Sequence, residues 1–67
     1  MMEEINGWKE VGLLGQYGWS NSNKDLLAIA YFKDSWVVYL NGNILKQFKS
    51  RDFAFKYAYG YMKQKDE

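Results

Sequence analysis

The chain contains no cysteine and no histidine. Without cysteine it can form no disulfide, and without either residue the usual zinc-binding sets cannot be assembled. The missing histidine also removes the side chain most often used for general acid–base catalysis. An excess of one charge is absent too: nine basic and eight acidic residues leave a formal net charge of +1. No global field therefore steers the protein onto nucleic acid or an anionic membrane. No apolar run approaches the ~20 residues needed to cross a bilayer. The opening segment, MMEEINGWKE, is acidic where a secretory signal would be basic, and no apolar stretch follows it. These absences predict a cytoplasmic protein with no metal and no cofactor.

What the chain does have is aromatic residues, 19% of its 67 positions. A domain this small buries only about 60% of the surface its unfolded chain exposes. Lacking staples, it must rely on large rings or on another chain for stability. The sequence reads as one domain over 1–67, with residues 1–7 and 64–67 expected to fray.

Trp8–Leu14 alternates well enough for a first strand, although Gly12 weakens it. Gly15–Asp25 clusters glycine, asparagine and serine and reads as a long loop carrying two rings, Tyr17 and Trp19. Leu26–Phe32 is a short, nearly continuous apolar run, which favours a central strand. Lys33, Asp34 and Ser35 supply a turn, and Trp36–Leu40 a further strand. Asn41-Gly42 is a strong hairpin signal, since a type I′ turn needs φ > 0 at both central residues. A two-residue loop there would pair Leu40 with Asn43. A three-residue loop would pair Leu40 with Ile44 and Trp36 with Phe48. The second is preferred, because it gathers Trp36, Val38, Leu40, Ile44 and Phe48 on one face. Ile44–Phe48 then forms an edge strand, its Lys46 and Gln47 discouraging further pairing.

Ser50 is placed to cap a helix that runs to about Lys63, with Asp52 in its first turn complementing the helix dipole. Phe53, Ala54, Tyr57, Ala58 and Tyr61 fall on one stripe, while Lys56, Gly60, Lys63 and Gln64 face away. The fold class is α+β: a small antiparallel sheet of three to four strands with one C-terminal helix packed on one face. Phe55, Tyr59 and Met62 exceed the apolar arc that one sheet would cover. Either Trp8 or the Tyr17–Trp19 segment covers them, or another molecule does.

Trp36-x-Val38, the Asn41-Gly42 turn, then Phe48-x-Ser50 leading into a helix with Ala54 and Ala58 is a familiar layout. It resembles the sheet-plus-helix DNA-binding modules of the AP2 type, including the arm-binding domains of tyrosine integrases. The resemblance spans residues 36–62, less than half the chain. It implies an exposed sheet face laid into the major groove, with strand arginines and lysines as contacts. Here that face is expected to carry Lys9, Val11, Leu13, Leu27, Ile29, Tyr31, Val37, Tyr39, Leu45 and Gln47, which is mostly apolar.

Three function classes follow. Catalysis has little to stand on, because Asp25, Asp34 and Asp52 sit at expected turns or caps and no serine has a customary base nearby; the chain reads as not an enzyme. Nucleic-acid binding would use a basic strand–helix junction, Lys46, Lys49 and Arg51, with Lys56 and Lys63 on the outer helix face. Protein association is favoured, since the chain is short, unstapled and rich in interface-prone rings. The candidate contacts are Tyr17, Trp19, Phe55, Tyr59 and Met62, or the sheet face opposite the helix. The expected partner is a second copy in a homodimer, or another protein to which a host- or phage-encoded adaptor or inhibitor would bind.

Overall fold

The computed structural model describes residues 4–64. Six antiparallel strands follow one another in chain order: β1 (Glu4–Ile5), β2 (Trp8–Leu13), β3 (Gln16–Ser20), β4 (Leu26–Phe32), β5 (Ser35–Leu40) and β6 (Asn43–Phe48). One helix, α1 (Arg51–Lys63), crosses one face of this sheet. The α+β class expected from sequence is the one observed, but the sheet has more strands than the three to four expected. Among the described residues no helix is long and apolar enough to cross a membrane.

The two added strands have simple causes. Asn6 and Gly7 both adopt positive φ, 49° and 87°, and Ile5 pairs with Trp8, so a two-residue turn folds the lead-in back onto β2. Residues expected to fray are instead paired from Glu4. β3 lies inside the segment expected to be a loop. Tyr17 and Trp19 point to one face, while Gln16, Gly18 and Ser20 lie on the other, so the period of a strand is present. Its small residues hide the pattern. The tail 65–67 lies outside the described residues.

The Asn41-Gly42 hairpin combines both expected registers. Asn41 and Gly42 have φ of 53° and 87°, and Leu40 pairs with Asn43 across a two-residue turn. A β-bulge opposite Val38 then shifts the ladder by one residue, so Trp36 does pair with Phe48. The bulge turns Leu45 into the core in place of Ile44, which is left 55% exposed on the other face.

Turn length also corrects the faces of β4. Lys33 and Asp34 alone form the turn, both with positive φ, and Phe32 pairs with Ser35. A three-residue turn would have inverted every side chain of β4. Leu27, Ile29 and Tyr31 therefore share the helix-covered face with Trp36, Val38 and Leu40, and are not on the opposite face.

Ser50 caps α1 as expected: its Oγ accepts the Phe53 N–H at 3.4 Å. Ala54, Ala58 and Met62 are buried along one line of the helix, which lets its backbone approach the sheet. They pack on Trp8, Trp19, Leu27, Ile29 and Val38. Phe53, expected in the stripe, is 60% exposed because the buried line is rotated toward Met62.

Candidate functional site: the uncovered sheet face

The rings that seemed surplus on the helix are largely used within the molecule. Phe55 packs edge-on against Tyr17 and Trp19, at centroid distances of 4.9 and 6.1 Å. Tyr59 meets Trp19 at 5.8 Å, and Trp8 meets Tyr61 at 6.3 Å on the other flank. Edge-to-face pairs of this kind add ~0.5–1.5 kcal/mol each beyond area burial. Of the five expected contact residues, Trp19 and Met62 are enclosed and spend their surface on the core. Tyr17, Phe55 and Tyr59 remain partly accessible at the rim.

The basic set is exposed. Arg51 lies over the rings of Phe55 and Tyr17, 4.4 and 5.5 Å from their centroids, which binds its guanidinium to the aromatic flank. This contact also offsets the unfavourable place of a cation in the first turn of a helix. Lys46 and Lys49 flank the end of β6, and Lys56 and Lys63 project from the outer side of α1.

The larger uncovered surface is the sheet face opposite α1. The registers place Val11, Gly18, Ala28, Tyr39 and Ile44 in one row across it. Leu13, Ala30, Val37, Phe32 and Gln47 extend the face along the strands. Ala28 and Val37 are closed over by their neighbours, whereas Phe32 and Ile44 are more than half exposed. A Cβ added to Gly18 would clash with Leu13 Cδ1 and sit 3.3 Å from Val11 Cγ2, so the β2 side chains lean over β3. On β2–β6 the charged residue of this face is Lys9, beside the row and opposite Ser20 at a corner of the face. Phe32 and Ile44 were not among the expected contacts. The two-residue turns that place them were the missing signal.

Polar chemistry is concentrated at the end of the sheet near Asn41. Its Oδ1 accepts the Leu26 N–H at 2.8 Å, its backbone N–H donates to Leu26 O at 2.8 Å, and its Nδ2 donates to Asp25 Oδ1 at 3.2 Å. Asn21 holds Asp25 from the other side, donating from Nδ2 to Oδ2 at 3.2 Å. At the same end of the sheet, beside β2, Asn6 Nδ2 donates to Met62 O and Gln64 O, at 3.0 and 3.1 Å. Tyr31 donates its hydroxyl proton to Asp34 Oδ1 at 3.2 Å, and this bond with the adjacent carboxylate raises the phenol above the usual tyrosine range. The small stabilisation from that raised group is complete below the unfolded tyrosine value near 10. It is lost as pH climbs through the higher folded value. Among the described residues no cluster of acidic side chains is arranged to hold a metal ion.

No protein-family model, curated protein or solved structure matches the chain.

Proposed function

We propose that the protein works by binding protein, without catalysis, and that its occupant is a second copy packed against the uncovered sheet face. The observation that carries this reading is a sheet with a helix on one side and an apolar row on the other. Antiparallel sheets with a solvent-facing side ordinarily alternate toward polar residues there. This one presents Val11, Leu13, Phe32, Tyr39 and Ile44 instead.

Area and charge both favour a second copy. Five strands spaced ~4.8 Å apart, each about 20 Å long, offer a flat footprint of roughly 500 Å². Two such faces reach the ~1,000 Å² at which specific interfaces begin. Sheets stacked face to face at ~10 Å interdigitate their side chains, so the exposed Phe32 and Ile44 of one copy can pack among the apolar side chains of the other. With Lys9 at a corner of the face, two copies meet without like charges at the centre.

Sedimentation across a concentration series tests this. The unmodified protein is expected to form dimers at micromolar concentration. Phe32→Glu and Ile44→Glu should each shift it to monomer, while Tyr59→Glu on the helix side should not. A monomer at all concentrations refutes self-association. Dimers unaffected by Phe32→Glu and Ile44→Glu place the contact elsewhere.

A further inference from the structure

We infer that Asn41 is a self-modifying residue: folding assembles around its side-chain amide the groups that assist cyclisation onto Gly42. In this reaction the Gly42 backbone nitrogen attacks Asn41 Cγ. The Cγ–Nδ2 bond breaks, and Nδ2 leaves as ammonia carrying the proton displaced from the Gly42 nitrogen. The product is a five-membered cyclic imide. Water then opens either carbonyl of the ring, giving an aspartyl or an isoaspartyl residue at position 41.

Two geometric features single out Asn41. As Gly42 attacks, negative charge builds on Oδ1, and the Leu26 N–H already points at that oxygen from 2.8 Å. A preorganised donor aimed at a developing oxyanion is worth about 10²–10³ in rate in enzymes. The leaving nitrogen gains positive character, and Asp25 Oδ1 lies 3.2 Å from it. Asp25 is itself fixed by Asn21, through Nδ2 to Oδ2 at 3.2 Å and through the Asp25 N–H to Oδ1 at 3.0 Å. Nucleophile and electrophile are adjacent by sequence, and glycine leaves the attacking nitrogen without a flanking side chain.

Asn6 provides the control within the same molecule. It has the same following glycine and the same positive φ, and it too is exposed. Its Nδ2 faces two carbonyl oxygens at the helix end, and among the described residues no donor reaches its Oδ1. Denatured, the two sites differ little; folded, only Asn41 has the assisting groups.

The product would act on the fold. Conversion to an acid removes the Nδ2 donor and sets a second carboxylate against Asp25, so the link between the start of β4 and the β5–β6 turn is weakened to its two bonds with Leu26. The isoaspartyl product also lengthens the backbone within a two-residue turn.

The test is peptide mapping by mass spectrometry after incubation in heavy-oxygen water, with the native protein and the protein in denaturing urea run in parallel. Natively, Asn41 is expected to convert about tenfold or more faster than Asn6, a conservative fraction of what a preorganised oxyanion donor supplies. In urea the two rates should agree within a few-fold. Asp25→Ala should slow Asn41 several-fold and leave Asn6 unchanged. Equal native rates, a slower Asn41, or the same ratio in urea as in the native protein would each overturn the proposal.

Discussion

At the residue scale, two asparagines do more than turn the chain. Asn6 and Asn41 each hold a left-handed conformation that asparagine tolerates better than most residues, and each extends its amide to a distant element. Asn6 satisfies two carbonyls that the last turn of α1 would otherwise leave to solvent. Replacing Asn6 with glycine keeps the positive φ and removes these bonds, with a small added cost from the freer unfolded chain. Asn6→Gly should therefore cost about 1–2 kcal/mol, from two hydrogen bonds of ordinary strength. Urea denaturation measures it, and an unchanged midpoint would mean the helix end is not held this way in solution. The dipeptide Asn-Gly was as visible at 6–7 as at 41–42. Only the second was flanked by two obvious apolar runs, so only the second was legible as a hairpin.

At the element scale, the helix was readable nearly to its ends, because the Ser50 cap, the Ala54–Ala58 spacing and the polar back face agree. The strands β4, β5 and β6 were readable as segments but not in register. One extra turn residue at 33–35 inverts a strand, and a bulge repairs the ladder beyond Val38 in a way no local pattern announces. β3 was missed because glycine and serine on one side masked the large rings on the other. Its Gly18 has a structural reason, since Leu13 and Val11 occupy the space of a side chain there. Gly18→Ala should destabilise the sheet by about 1–3 kcal/mol, as overpacking does. Adding Leu13→Ala should relieve part of that loss. A double-mutant cycle in chemical denaturation reads the coupling, and strictly additive effects would show that Leu13 does not lie across β3.

At the scale of the whole molecule, the candidate site proved the least legible part. Composition pointed to a surplus of rings on the helix, but the helix flank engages most of them through Trp8, Tyr17 and Trp19. The uncovered apolar surface lies on the sheet, and its most exposed members, Phe32 and Ile44, are placed by two-residue turns where three-residue turns were expected. The sequential strand order carries one more consequence, for kinetics. Each strand pairs with its neighbour in the chain, four of the five connections use only two residues, and the fifth spans Asn21–Asp25. Short closures cost little entropy, so a sheet of this kind can zip from any hairpin outward. The distant contacts are those of α1, and the farthest in sequence joins Asn6 to Met62 and Gln64. Contacts absent at the barrier change the unfolding rate and spare the folding rate. Stopped-flow measurements on Asn6→Gly should thus show faster unfolding with the refolding arm unmoved; a slowed refolding arm would mean that the two ends of the molecule meet before the barrier is crossed.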